Sequence, residues 1–235
     1  MPRKYYDKYR LRQYGFHGTS HKYISLITKE VYKQQSLDTD QLKVISCHLG
    51  NGASICAIKG QQSINTSMGF TPLAGLMMGS RSGDIDPAIL PFLMEVEDLT
   101  PGQITAILNK ESGLLAFSDI SNDLRDIEEA YRKGNSLGLT AIEMFTNRIA
   151  HTIATYMVDL GGVDAIVFTA GIGENSSLIR EKVTEKLSVF DMKLDSEANQ
   201  SNKKLISSEN LNIKLFVLPT NEELMIAIGT MELIN

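Results

Sequence analysis

The sequence has 235 residues, 43% hydrophobic and 22% charged, enough to bury a sizeable core as one large domain or one and a half small ones. A net charge of −5 and a pI near 5.4 argue against the clustered basic surface of a nucleic-acid binder, though a small anion can still be held in a locally positive pocket. Two cysteines, no export signal and no apolar run of about 20 residues lead to an expectation of a cytoplasmic protein with reduced thiols and no membrane contact.

Residues 1–13 are basic and aromatic and read as a connecting segment, followed by FHGTSH and a helix starting near Ser20. Short alternating runs predict strands at Leu42–Cys47, Ala53–Ile58 and Ser63–Asn65. Asn51-Gly52 reads as a two-residue hairpin turn in which both residues take positive φ, so that Cys47 faces Cys56. Asp86-Pro87 and Thr100-Pro101 each pair a capping residue with proline at the first helical position, predicting helices Pro87–Val96 and Pro101–Asn109. Ser121 opens a charged helix, Asn122–Arg132, closed by Gly134.

Leu139, Ile142, Phe145, Ile149, Ile153, Met157 and Leu160 step by three or four and draw one face of a long helix, Leu137–Leu160. Val163–Phe168 is almost continuously apolar, as in a strand covered on both faces. TAGIGEN follows, then a helix at Ser177–Leu187, a strand at Ile213–Leu218 and a terminal helical segment, 221–235. Strands hairpinned first and helix-crossed later make the class α/β, with a mixed sheet and helices packed on it.

CHLGNGASIC, residues 47–56, admits three chemistries. Neighbours on a strand point to opposite faces, so Cys47 and His48 cannot both turn to one metal ion. A Cys47–Cys56 disulfide is geometrically conceivable but opposed by a reducing compartment. A turn whose glycine amides contact phosphate and a plain surface hairpin both remain open.

The other polar motifs also have two readings each. TAGIGEN runs a strand into Gly171 and Gly173 and then a helix, as a nucleotide turn does and as many ordinary strand-to-helix turns do. His17 and His21 flank Gly18, Thr19 and Ser20, a cluster too polar to read as core packing, and histidine can donate to a phosphoryl oxygen. Arg81, in a glycine-flanked turn, suits a phosphate or carboxylate clamp, or else a salt bridge to Asp84 or Asp86. Glu222, after Asn221, either holds a hard cation or simply favours a helix N-terminus.

FHGTSH, SCHLGNGAS, FTPLAGLMMGSRSGDIDP, SDISNDLRD, FTAGIGEN and TNEEL, in this order, resemble the acetate and propionate kinase family of the actin-like and sugar-kinase ATPases. The resemblance runs from about Tyr14 to Ile226 and implies that ribonuclease H-like fold, with helices on both faces of the sheet, for residues 14–220. It implies reversible phosphorylation of acetate by ATP to acetyl phosphate, with Mg²⁺, in a homodimer. Carried over by motif, His17 and Arg81 stabilise the phosphoryl group in flight. His48, Leu49, Gly50, Asn51, Gly52, Asp123, Leu124, Arg125, Gly171, Ile172, Gly173, Glu174 and Asn175 form the nucleotide site. Glu222 binds the magnesium, and Phe16 and Pro72 wall the acyl pocket. The family's N-terminal phosphate loop of the NxGSSSxK type has no counterpart here. The expectation is therefore a nucleotide-binding half, poorly active alone, whose terminal helix packs on an N-terminal domain. The alternatives are a propionate kinase, or a non-catalytic fragment or subunit of a split enzyme.

Overall fold

The structure is a computed structural model that describes residues 1–34, 39–208 and 211–234. Asn235, the last residue of the expected terminal helix, lies outside them. In chain order the helices are α1 (Arg3–Tyr9), α2 (Gly18–Lys33), α3 (Ile89–Val96), α4 (Pro101–Lys110), α5 (Gly113–Ser118) and α6 (Leu124–Arg132). They continue with α7 (Ser136–Leu160), α8 (Ala170–Asn175), α9 (Ser177–Lys186), α10 (Ser196–Gln200) and α11 (Glu222–Ile234). The strands are β1 (Lys43–Leu49), β2 (Ala53–Lys59), β3 (Gln62–Thr66), β4 (Ala165–Thr169) and β5 (Lys214–Val217). Among the described residues no helix is long and apolar enough to cross a membrane.

The chain divides into two compact units, residues 1–16 with 67–145, and residues 17–66 with 146–235. The second carries the sheet, in the order β3-β2-β1-β4-β5. β1, β2 and β3 pair antiparallel as a meander, while β4 pairs parallel to both β1 and β5. This is the mixed α/β sheet the sequence predicts.

One face of the sheet packs on α2. Ile24, Val31 and Tyr32 of that helix lie with Val44, Cys56, Ile58, Ala165, Val167, Phe216 and Leu218 in a single buried cluster. The residues in the opposite phase, among them Ile45, Cys47, Leu49, Ile55, Ile166, Phe168 and Leu215, are buried too. A sheet apolar on both faces is one that has cover on both.

The hairpin departs from the predicted register by one residue. Leu49 pairs with Ala53, so the turn takes three residues, Gly50, Asn51 and Gly52, and the Gly50 N–H donates to the Gly52 carbonyl at 3.1 Å. None of the three has positive φ. In consequence Cys56 pairs with Ser46, and Cys47 with Ile55. Both thiols are free and buried as expected, but they lie on opposite faces and are not side-chain neighbours. Burial pushes both thiols above their usual range, the fully buried Cys47 well above it, which disfavours the reactive thiolate.

In the first unit α1 buries none of its residues. Asp86 and Pro87 stand outside α3, which starts at Ile89, because the Asp86 side chain accepts from Ala88 N–H in a turn of its own. Thr100 caps α4 as predicted, in a reciprocal capping box with Gln103. The cap of α6 is Asp123 rather than Ser121. On α7, Ile142, Phe145, Ile149, Ile153, Met157 and Leu160 are buried as the periodicity predicts, whereas Leu139 is exposed.

Candidate active site

The apolar packing of α2 on the sheet does not continue to the helix N-terminus. Toward that end the inward phase of β1 runs Val44, Ser46, His48, and that of β2 runs Ile58, Cys56, Ser54. Opposite them α2 presents Ser20 and His21, both buried, and His17 immediately before its first residue. Of the cluster that looked too polar for the core, Ser20 and His21 are inside it, where Ser46 and Ser54 satisfy the His21 imidazole, whereas His17 and Thr19 are half-buried and Gly18 is exposed.

Four short hydrogen bonds define the cluster. His17 Nδ1 lies 2.8 Å from Ser54 Oγ, and His21 Nε2 lies 2.9 Å from the same oxygen. His21 Nδ1 is 2.9 Å from Ser46 Oγ, and His48 Nδ1 is 2.9 Å from Ser20 Oγ. The rings of His17 and His48 stack with centroids 4.0 Å apart and planes 17° from parallel. Burial, reinforced by the neighbouring histidines, lowers the pKa of His21 to about 3 and that of His48 to about 4. His17 sits at φ 54°, a left-handed conformation uncommon for a residue with a side chain. Such local strain persists where the surroundings over-determine it.

Two glycine turns adjoin this cluster at the carboxyl ends of the parallel pair β1 and β4. A Cβ on Gly50 would lie 3.2 Å from the Gly52 carbonyl oxygen and 3.9 Å from the Ala170 side chain, so the turns after the two strands touch. The predicted strand-to-helix junction contains an extra short helix, α8, entered through Ala170 at φ 64°. Its two glycines serve different ends. A Cβ on Gly173 would lie 3.2 Å from the Phe168 carbonyl carbon, so that glycine permits close packing on the sheet. A Cβ on Gly171 would meet nothing within 4 Å, so clearance there answers no demand of internal packing.

Glu174 folds back on its own turn, with Oε1 accepting from Ala170 N–H at 2.8 Å and from Thr220 N–H at 3.4 Å. Asn175 likewise donates to the Gly171 carbonyl at 2.8 Å. Beneath them is a residue that sequence reasoning missed. Arg180 is fully buried and donates to the carbonyls of Gly173, Glu174 and Asn199 and to the side-chain oxygens of Asn199 and Asn202. It ties the end of α8 to α10. The available signal was its phase, since Arg180 follows Ile179 one turn before Val183 and Thr184, all four of them buried.

The remaining predicted residues apart from Glu222 belong to the other unit. Arg81 donates from Nη1 to the Pro72 carbonyl at 3.1 Å and reaches the Met78 sulfur at 3.6 Å, which brings two of the predicted residues together. Among the described residues no ion pair joins Arg81 to Asp84 or Asp86, whose carboxylates accept from Gly75 N–H and Ala88 N–H respectively. Gly113, at φ 65°, lets the chain pass where a Cβ would lie 2.7 Å from the Arg81 carbonyl oxygen, and so fixes that turn. Phe16 and Pro72 are half-buried. Asp123 caps α6 and pairs with Arg125, and this hydrogen bonding holds its carboxyl down at about 2. Leu124, between them in the chain, is buried.

Glu222 is the first residue of α11, half-buried, next to Asn221, whose side chain accepts from Leu224 N–H. α11 packs against α2. Among the described residues no three His, Cys, Asp or Glu are grouped to hold a metal ion. Mg²⁺ carried on nucleotide phosphates asks for only one or two protein carboxylates. Glu222, near the Thr220 segment tied to Glu174, is one carboxylate of that kind.

Residues 1–228 match the acetokinase family. The chain belongs to that family. It is 52% identical to an acetate kinase of Thermoanaerobacter pseudethanolicus, over all of this chain and 59% of the relative. It is 50% identical to a propionate kinase of Citrobacter koseri, over 99% of this chain and 57% of the relative. The crystal structure of Porphyromonas gingivalis acetate kinase superposes with a TM-score of 0.94 at 42% identity, covering all of this chain and 59% of that one. The fold is thus that of the acetate and propionate kinases, the actin-like and sugar-kinase class the motifs implied. The chain spans under two thirds of the length of the relatives it matches.

Proposed function

We propose that this chain carries the nucleotide-binding half of a kinase that transfers the γ-phosphoryl group of ATP to acetate, reversibly, forming acetyl phosphate. One observation carries the reading. The stacked His17 and His48 and the two touching glycine turns gather at the carboxyl ends of parallel strands, where open α/β sheets bind their ligands. Membership of the acetokinase family supports the choice of reaction.

In the forward step a carboxylate oxygen forms a bond to the γ-phosphorus. The bond from that phosphorus to the bridging oxygen breaks, and its electron pair leaves on ADP. No net proton is consumed, so the protein's work is positioning and stabilising charge on the equatorial oxygens. We assign that duty to His17 as an N–H donor. To Arg81 we assign the same duty on its motif and its guanidinium chemistry. Gly50–Gly52 and Gly171–Asn175 face the nucleotide phosphates and ribose, and Asp123–Arg125 are assigned to nucleotide binding on their motif. Phe16 and Pro72 wall the pocket for the acyl methyl group. Glu222 would help hold Mg²⁺, which would supply charge neutralisation to the phosphates.

Propionate is the second acceptor reading, supported by propionate kinases at about the same identity as the acetate kinases. We propose further that efficient turnover requires an N-terminal complement, that the enzyme is cytoplasmic, and that it works as a homodimer. Exposed apolar residues such as Val158 on α7 and Ile226 on α11 support association. Trapping the acyl phosphate as a hydroxamate, with acetate or propionate and Mg·ATP, tests the reading. Product should be scarce with the chain alone and abundant once the N-terminal part of a relative is supplied. Turnover of about 1–100 s⁻¹ by the chain alone, the ordinary kinase range, would sink the half-enzyme proposal. Absence of hydroxamate in the complemented mixture would sink the kinase reading.

A further inference from the structure

The polar cluster under the turns contains more hydrogen-bonding groups than a catalytic histidine needs, and its protons can be counted. A hydroxyl has one hydrogen to donate, and a neutral imidazole has one N–H and one acceptor nitrogen. Ser46 is fully buried on β1, and its side chain has one hydrogen-bond partner among the described residues, His21 Nδ1. A buried hydroxyl whose hydrogen finds no acceptor is costly. Ser46 therefore donates, and His21 must accept on Nδ1.

The rest follows in sequence. His21 accepts on Nδ1, so its own proton is on Nε2 and is donated to Ser54 Oγ, 2.9 Å away. Ser54 is also fully buried, and the other partner of its oxygen is His17 Nδ1 at 2.8 Å. The Ser54 hydrogen goes there. His17 then accepts on Nδ1 and carries its proton on Nε2. Buried Ser20, donating to His48 Nδ1, imposes the same tautomer on the stacked ring.

We infer that Ser46, His21 and Ser54 form a one-way hydrogen-bond chain that fixes His17 as the Nε2–H tautomer, and that these three are positioning residues for it. The inference rests on the proposed phosphoryl-stabilising role of His17 only for its purpose, not for its geometry. A histidine free to exchange tautomers would present a lone pair to an anionic phosphoryl oxygen for part of the time. One whose direction is set from below presents a donor throughout. The depressed pKa of His21 agrees, since an imidazolium there would break the one-way order.

Long-range ¹H–¹⁵N correlation spectra of the ¹⁵N-histidine-labelled chain near pH 7.5 read this directly. The four histidines, His17, His21, His48 and His151, give few enough signals to assign by single substitutions. His17 and His21 should both be Nε2–H, by roughly tenfold or more. Ser46→Ala should turn His17 into a mixture of tautomers, while Ser54→Thr, which keeps the hydroxyl, should preserve the original ratio. His17 carrying its proton on Nδ1 in the unsubstituted chain would overturn the inference, whatever the variants do. So would an unchanged His17 ratio in folded Ser46→Ala. Adding Mg·ATP to the same sample separates the two proposals. A fixed Nε2–H tautomer whose resonances ignore Mg·ATP would sink the functional reading and leave the hydrogen-bond chain standing.

Discussion

The two ends of the α2–sheet interface are built by the same helix and the same strands to opposite chemical rules. At one end Tyr32 meets Phe216 edge-on at 6.3 Å among Val31, Val44, Ile58 and Val167. At the other, about four helical turns away, His17, Ser20 and His21 meet Ser46, His48 and Ser54. The apolar end gains free energy from area removed from water. The polar end, equally closed to solvent at His21, Ser46 and Ser54, gains little net and is costly wherever one partner is missing. A fold that accepts this cost at one end of its core has reason to keep the groups there in one arrangement.

The contrast can be broken experimentally, and the largest effect is expected at the apolar end. Phe216→Ala should cost about 3–5 kcal/mol in urea unfolding. A loss below about 1 kcal/mol would mean that this end is not the anchor. His17→Ala should behave in the opposite way. Turnover of the complemented enzyme should fall about 10²–10³-fold, the loss typical of removing one donor to a developing oxyanion, with stability changed far less. A variant that unfolds without losing specific activity would reverse the division between the two ends.

Acid should find the polar end first. The unfolded chain protonates His21 near its ordinary 6.5, whereas the folded chain resists down to about 3. Between those values the unfolded state binds more protons, so stability is complete above 6.5 and falls as pH drops through the window, by about 1.4 kcal/mol per pH unit. His48 adds a loss of the same sign between 6.5 and about 4. His21→Gln should flatten the measured slope, and an unchanged slope would place the acid sensitivity elsewhere. The smallest effect is expected for Ser20→Ala, about 1 kcal/mol, with the His48 tautomer rather than its ring position altered.

How much of this was legible in the sequence differs by level. Strand periodicity, the Thr100-Pro101 helix start and the long helix were readable because each rests on local preference. The hairpin register was not, because a pattern of apolar residues does not tell a two-residue turn from one that also takes in Gly50. Among the candidate site residues, motif order singled out His17, His48 and the glycine turns, which the structure brings together, yet gave no hint that His21 is core. That follows only from Ser46 and Ser54 falling in the inward phase of two different strands, a coincidence visible once their pairing is known. Asp123 and Arg125 were read as ligands, and in the structure their first partners are each other.

Arg180 has a consequence for how this part of the chain comes apart. Its guanidinium cannot shed its charge, and its acceptors lie both before it, at Gly173 and Glu174, and after it, at Asn199 and Asn202. Releasing either side strands a cation among buried carbonyls, so partial opening of this segment is disfavoured. Residues 170–202 should accordingly exchange their protected amide hydrogens as one cooperative block rather than fraying from α10 inward. The turn beside the histidines would then be either wholly present or wholly absent.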